Sequence, residues 1–411
     1  MTAEQTSEEK MSPLLRRRDH SDAGRVGTIE LFFDLVFVFA VTQLSHTLVG
    51  DLSLSGMLQV SLLLLAVWWV WIYTSWVTNW LDPERIPVRA CLLLLLVAGL
   101  VMSVSIPHAF DDHGLYFAGA YASMQVGRTI FFLWAVRNGP DILLRNFQRI
   151  LVWLGTSAAF WIAGAYAEGW SRFGLWLVAL AIEFAGPWLY FAVPGLGRSS
   201  TSDWNVHGGH LAERCGLFVI IALGESLLVT GATFAGLASA VDAWSAFLVA
   251  VLGSILLWWI YFDTGAQRGE DRITHSTDPG RLARLGYTYL HLPIVAGIIV
   301  CAVGDEIMLL HPGHATAPAI SVLIGGPAAF LAGAMLFKWV TNSRRTPPLS
   351  HLVGLGLLAV LLWGAHELHV SALQIGAAAT GVLLIVAVWE SFALRRPSRN
   401  EPLSAADTPR R

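Results

Sequence analysis

The chain reads as an all-α polytopic membrane protein with about twelve transmembrane helices, and three observations lead there. Of its 411 residues 55% are hydrophobic and 13% charged, with 18 Trp, a balance that soluble domains rarely combine. Apolar runs long enough for a hydrocarbon core of ~30 Å, about 20 residues each, recur along the whole chain. Lys and Arg gather in the tails and in every second loop, as they do on the cytoplasmic side of membrane proteins.

From the N terminus, residues 1–27 are polar and charged, with neither an apolar core nor a small-residue cleavage site. They are expected to form a disordered cytoplasmic tail and not a signal peptide. Spans follow at 28–49, 56–79, 88–106, 115–136, 148–167 and 173–193. A second set lies at 213–235, 242–262, 284–304, 316–340, 350–366 and 371–394, before a tail at 395–411. With these bounds Arg16–Arg18, Arg85, Arg89, Arg145, Arg149, Arg281, Arg284, Arg344 and Arg345 share one side. The opposite loops keep only Arg172, and Arg128 is the basic residue well inside a span. Both termini are therefore expected in the cytoplasm, with the chain in the bacterial inner membrane. Cys91, Cys215 and Cys301 have no paired spacing, so no disulfide framework or thiolate zinc site is indicated.

The two sets of spans echo each other in order. Glu30 opens the first and Glu213 the seventh, and Trp71-Ile72-Tyr73 recurs as Trp259-Ile260-Tyr261. Val97-Ala98-Gly99 recurs as Val295-Ala296-Gly297, and Trp188-x-x-Phe191-Ala192 as Trp389-x-x-Phe392-Ala393. Six spans return the chain to its starting side, so residues 28–195 and 196–394 would be parallel six-helix halves with a solute path between them. The competing reading is an old duplication that transports nothing.

Ionisable groups are costly in lipid, about 2.5–3.5 kcal/mol for Asp or Arg at a helix centre on insertion scales, and each asks for a partner, water or a function. Glu30 sits in the first turn of its span and Asp34 lies over it at i,i+4. Tyr121, Gln125 and Arg128 form an i,i+4,i+7 stripe on the fourth span, and an Asp34–Arg128 pair is the simplest electrostatic solution. Such a pair could equally be structural. Glu225, beside Ser226, is near the midplane of the seventh span, where a carboxyl without a cation is suited to carry a proton. Gly216, Gly224 and Gly231 on that helix are expected to permit close helix approach. In the sixth span Pro187 frees the carbonyl of Glu183, and in the ninth Pro293 frees that of Tyr289 close to His291. Broken helices of this kind hold ions in transporters, although proline kinks are also routine in membrane helices.

Histidines flank acids outside the spans, at His108 to His113, at His311 and His314 after Asp305 and Glu306, and at His366 to His369. Their spacing does not match a metal-binding helix, so no metal site is assigned. No Walker loop, nucleophile elbow or dinucleotide glycine pattern is present, and no resident cofactor, nucleic-acid partner or enzymatic activity is expected. The expected partners are membrane lipid and a small-molecule or ion substrate; the oligomeric state is not written in the sequence.

The stretches "ELFFDLVFVFAVTQLSHTL" and "HLAERCGLFVIIALGESLL", with "LLRNFQRI" before the fifth span, resemble the bacterial low temperature requirement protein A family. The resemblance covers approximately Gly24 to Arg396. It implies a multipass cytoplasmic-membrane protein associated with growth in the cold, and it carries no substrate or catalytic residue. The residues themselves lead to a secondary transporter or permease in which Asp34, Arg128, Glu183 and Glu225 converge on one buried polar chamber. Glu30, Tyr121, Gln125, Glu213, Ser226 and His291 would support it, and Pro187 and Pro293 would supply its helix breaks. The alternative is a membrane protein that maintains envelope or lipid organisation in the cold, its polar groups locking helices together.

Overall fold

A computed structural model describes residues 12–16, 25–204, 206–237, 241–341, 346–368 and 370–395. Twelve long helices account for most of this length. They are α1 (Thr28–Gly50), α2 (Leu54–Trp80), α3 (Ile86–Ser105), α4 (Gly114–Ala135), α5 (Asp141–Ala165), α6 (Gly169–Trp188), α7 (Gly208–Ala235) and α8 (Val241–Tyr261). Two short helices, α9 (Gln267–Thr274) and α10 (Pro279–Leu282), precede α11 (His291–Leu310), α12 (Ala317–Thr341), α13 (Leu349–Leu368) and α14 (Ala372–Arg395).

Local chemistry sets several boundaries. The Ser53 hydroxyl accepts from Gly56 N at the start of α2, Pro87 occupies the first turn of α3, and Asp278 caps α10 by accepting from Arg281 N. Glu30 reaches back to accept the N–H of Gly27 and so closes the first turn of α1.

Nine of the helical stretches among the described residues are long and apolar enough to cross a membrane. The other three long helices are α4, α5 and α6, whose polar load lowers their hydropathy. Gln125 and Arg128 lie within α4, Arg145, Asn146, Gln148 and Arg149 in the first turns of α5, and Arg172 and Glu183 in α6. Rows of Leu, Val, Ile and Phe remain exposed on the bundle, among them Leu94, Val97 and Val104 on α3, Leu248 and Ile255 on α8, and Phe392 on α14. Water would penalise so much bare apolar surface, and a bilayer covers it. The protein is a multipass membrane protein.

Helix pairings repeat along the chain. Among the first six helices α1 packs on α2 and α3, α3 on α4, α4 on α5, α5 on α6, and α2 reaches α4 and α6. Among the last six long helices α7 packs on α8 and α11, α11 on α12, α12 on α13, α13 on α14, and α8 reaches α12 and α14. The two groups meet where α1 touches α7 and α11 and α2 touches α7. Trp68, Trp69 and Trp71 of α2 are buried at this junction. Trp71 packs on Phe218 at 4.3 Å between ring centroids, and the Trp68 indole donates to the Thr288 carbonyl at 2.9 Å.

Close approach of backbones occurs at α11 and α12. A Cβ on Gly297 would lie 2.4 Å from Phe330 N, and one on Gly326 2.7 Å from Cys301 N. Gly224 and Gly231 have nothing within 4 Å of a Cβ, and Gly216 would meet only the Phe262 ring at 3.6 Å. Gly216, Gly224 and Gly231 are therefore not the contact surface the sequence suggested.

The helix breaks also differ from expectation. Pro187 lies in the last turn of α6, which ends at Trp188, so it terminates the helix and does not break it at mid-span. Pro293 lies in the first turn of α11, directly after a π-helical stretch, Ala283–Tyr289, and a second π-helical stretch, Phe262–Ala266, follows α8. The interruption in the ninth span is thus present as a widened turn, a feature frequent at functional positions.

The N-terminal segment is not wholly free. Residues 12–16 lie against the bundle, with Arg16 N donating to the Trp80 carbonyl at 2.8 Å and Ser12 Oγ to the Ala135 carbonyl at 2.6 Å. Most of the remaining N-terminal tail, the C-terminal tail beyond 395, Arg344, Arg345 and His369 lie outside the described residues.

Candidate functional site

The polar residues selected by membrane cost are all found, but they divide among three groups. The bundle has a near face, where α1 and α7 begin, and a far face, where they end.

The first group closes the near end of the seam between α1 and α7. Arg214 donates Nη1 to Glu30 Oε1 at 3.1 Å and Nη2 to Asp34 Oδ1 at 2.7 Å. His210 Nε2 lies 3.0 Å from Glu30 Oε1, and Arg16 Nη2 is 2.7 Å from Glu30 Oε2. The Trp71 indole donates to Asp34 Oδ1 at 2.9 Å. All but Arg16 are buried to within 1% of complete exclusion. Two carboxylates sharing one fully buried guanidinium, with a second arginine and a histidine at the edge, form a compact charge-balanced lock. Glu213, in contrast, is exposed and among the described residues accepts only from Val26 N, at 3.1 Å.

The expected Asp34–Arg128 pair is not formed, because Arg214 takes Asp34. Arg128 belongs to the second group, inside the first six helices. Its Nη1 donates to the Val70 carbonyl at 3.1 Å and to Thr74 Oγ1 at 2.9 Å, and its Nη2 donates to the Gln125 amide oxygen. The Gln125 amide nitrogen donates to Glu183 Oε2 at 2.8 Å, so Gln125 relays between the base and the acid. Glu183 also accepts from the Tyr121 hydroxyl at 2.6 Å and the Trp161 indole at 3.1 Å, and Ser157 Oγ lies 2.5 Å from its Oε1. The Tyr121–Gln125–Arg128 stripe thus faces α2, α5 and α6, and a buried acid with four donors and, among the described residues, no direct cation sits at its end.

The third group lies toward the far end of the α1–α7 seam. Glu225 Oε2 accepts from Thr42 Oγ1 at 2.5 Å, and its Oε1 lies 3.3 Å from Ser45 Oγ. Each hydroxyl has a backbone carbonyl as a competing acceptor, Val38 O for Thr42 and Thr42 O for Ser45, both at 3.1 Å. No cation touches Glu225 among the described residues. Behind it Ser226 Oγ contacts Ser254 Oγ at 3.0 Å and Asp305 Oδ2 at 3.4 Å. His291 takes no part; it is buried between Tyr261, 2.8 Å from Nε2, and the Gly286 carbonyl, 2.9 Å from Nδ1.

Asp34, Arg128, Glu183 and Glu225 therefore do not line one chamber; Gln125 joins Arg128 to Glu183, and the other two stand apart. Arg214 and Lys338 are buried ion-pair bases that the sequence-based expectations do not single out. Arg214 lies in α7 one turn after His210, at i,i+4, inside the expected seventh span, and that placement is its signal in the sequence. Lys338 is buried in α12, where it donates to the Ile260 carbonyl at 2.9 Å and pairs with Glu390 at 2.7 Å. It lies near the end of the expected span at 316–340, where a basic side chain can reach the interface. Among the described residues no three His, Cys, Asp or Glu side chains group as a metal site, and the His108–Asp111 and His113–Asp112 contacts are loose, 3.9 Å each, at the surface.

Comparison with known proteins gives the following. The profile of the family described as "Bacterial low temperature requirement A protein (LtrA)" matches residues 25–388. An uncharacterized protein of Rhizobium meliloti (strain 1021), RA0937, is 43% identical over 387 residues, 93% of each chain. No solved structure matches.

Proposed function

Starting from the fact that the chain belongs to the bacterial low temperature requirement A family, whose name describes a phenotype and no reaction, we propose that it is a secondary permease of the cytoplasmic membrane. In this reading it has twelve spans in two parallel six-helix halves, residues 28–195 and 196–394, with both termini in the cytoplasm. The near face is then cytoplasmic.

One observation carries the reading. The seam between the leading helices of the halves has a charged lock at one end and a cation-free carboxylate at the other. Rocking of the halves would open the Arg214 lock at the near face while the far end closes around Glu225. Ionic locks that open at modest net cost suit such a device, because the desolvation penalty of a buried pair offsets much of its Coulomb attraction. Glu225, answered among the described residues only by hydroxyls, is the group suited to take up and release a proton or cation.

The repeated helix pairings support the two halves. So does a correspondence of buried charge. The fourth helix of each half sends a base to a carbonyl near the Trp-Ile-Tyr motif of the second, Arg128 to Val70 and Lys338 to Ile260. In each half the sixth helix supplies the acid, Glu183 or Glu390. No enzymatic step, cofactor or nucleic acid enters this reading; the partners are lipid and a small solute or ion.

A specific observation also favours the other reading, a non-transporting protein that supports envelope organisation in the cold. Each charged side chain has hydrogen-bond partners within its own cluster, although Asp34 Oδ2, Arg214 Nε and Arg128 Nε find none among the described residues. The two separate experimentally. Solute distribution is compared between cells with and without the protein, and any solute found is then followed in proteoliposomes under a pH gradient. A permease gives gradient-dependent uptake that Glu225→Gln uncouples. If no solute distributes differently, and Asp34→Asn and Glu225→Gln only lower the melting temperature, the permease reading is rejected.

A further inference from the structure

A narrow, partly open pocket lies at the near face, apart from the α1–α7 seam. Its walls are the end of α2, α4, α5, the residues after α6, and the π-helical stretch leading to α11. It therefore lies between the two halves. Trp76 and Trp80 of α2 and Trp204 of the connecting segment pack on one another there, with ring centroids 5.6 to 6.1 Å apart.

Two guanidinium groups line this apolar space. Arg128 is 1% exposed, and its Nε has no hydrogen-bond partner among the described residues. Arg284, half-buried, donates Nη1 to the Pro187 carbonyl at 2.8 Å and lies over the Trp188 and Tyr190 rings. All of their hydrogen bonds among the described residues go to neutral groups. A buried N–H left unbonded on a cation is costly, and Arg is suited to a carboxylate or phosphate that it can fork.

The wall is also strained. Tyr190 (φ 53) and Phe191 (φ 47) both hold left-handed backbone, a conformation that bulky side chains seldom adopt, and both line the cavity. Such outliers cluster at binding and switch positions.

We propose that this cavity binds a small organic anion with a flat apolar body, the simplest being an aromatic carboxylate. The carboxylate accepts from Arg128 Nε, with Arg284 as the second cation, and the ring lies among Trp76, Trp80 and Trp204. An inorganic anion would leave the tryptophan walls wet, and a neutral aromatic would leave the guanidinium unanswered. Binding of this kind does not depend on the permease reading, since it needs no movement of the ligand across the membrane.

The test uses the full chain in nanodiscs, with 4-nitrobenzoate titrated calorimetrically against 4-nitrobenzamide and against empty discs. The expected result is saturable binding of the carboxylate, with the amide at least about tenfold weaker, the loss that follows from removing one charged contact. Arg128→Met and Arg284→Met should each weaken the carboxylate by a similar factor. Should Arg128→Met fail to fold, Arg284→Met and the amide comparison decide. Equal affinity for carboxylate and amide, undiminished binding by Arg284→Met, or no saturable heat up to about 10 mM would overturn the proposal, whatever the transport assays give.

Discussion

Asp34 and Arg214 meet at 2.7 Å across the α1–α7 seam, and eleven residues further along each helix Ser45 and Glu225 meet again at 3.3 Å. Eleven residues are close to three helical turns, so both contacts fall on the same face of each helix, ~16 Å apart. The leading helices of the two groups thus run parallel and in register between the contacts. One contact joins an acid to a base, and the other joins an acid to a hydroxyl.

The charged contact should behave as a buried pair. Asp34→Leu alone strands Arg214 with Glu30 as its only acid, and Arg214→Met alone leaves Asp34 with the Trp71 indole. Each should cost about 3–5 kcal/mol, whereas the double variant should cost clearly less than their sum. Melting of the purified protein in detergent measures the cycle. Additive losses would mean that the two side chains do not depend on each other.

The sequence shows depth along a helix better than direction around it. Glu30 and Asp34 were legible as an acidic stripe because i,i+4 spacing is local, and Tyr121, Gln125 and Arg128 were legible for the same reason. Pairing Asp34 with Arg128 failed because similar depth does not give the angle between helices. Arg128 turns toward Val70 on α2, and Arg214 comes from the other half. Glu183 was legible as a buried acid, but its donors Ser157 and Trp161 come from α5 and carry no sequence signature. The membrane class needed only composition and run length, neither of which depends on how the helices pack.

The α11–α12 contact gives a second expectation. Gly297→Ala would put a methyl 2.4 Å from Phe330 N, in backbone that cannot move aside cheaply. It should lower stability by about 1–3 kcal/mol, as overpacking does. Gly224→Ala meets nothing within 4 Å and should gain up to about 1 kcal/mol from helix propensity. Opposite signs in paired melting curves are the prediction; matching signs would contradict the packing described.

The N-terminal segment should be tied down by one side chain. Arg16 joins Glu30 and also donates Nε to the Thr78 and Leu81 carbonyls at 2.9 and 3.2 Å. Arg16→Ala should release residues 12–16, raising amide exchange there while α1 and α2 stay protected. Unchanged protection of that segment would show that the Leu15–Leu81 backbone bridge suffices without the guanidinium.

Glu270, on the short helix α9 outside the spans, offers a pH signature. Partial burial raises its carboxyl above the ordinary glutamate value, and Asp271 and Glu213 add to the rise. A raised acid favours folding fully below its unfolded value, and that contribution is lost as pH rises through the folded one. Glu270→Gln should therefore flatten the fall in melting temperature from mildly acidic toward neutral pH. An unchanged slope would mean that Glu270 is as well hydrated in the fold as outside it.

Glu225 separates a working carboxyl from a merely tolerated one. Gln at 225 keeps an oxygen for Thr42 or Ser45, so the cost in stability should stay near 1 kcal/mol, a shift of a few degrees or less in a chain of this size. Loss of the exchangeable proton has no such substitute. Any gradient-driven flux should therefore disappear in Glu225→Gln while Thr42→Val, which removes a donor but keeps the acid, only shifts its pH dependence. If the two variants affected flux alike, the hydroxyl contact would be the important element and the carboxyl would not be a carrier.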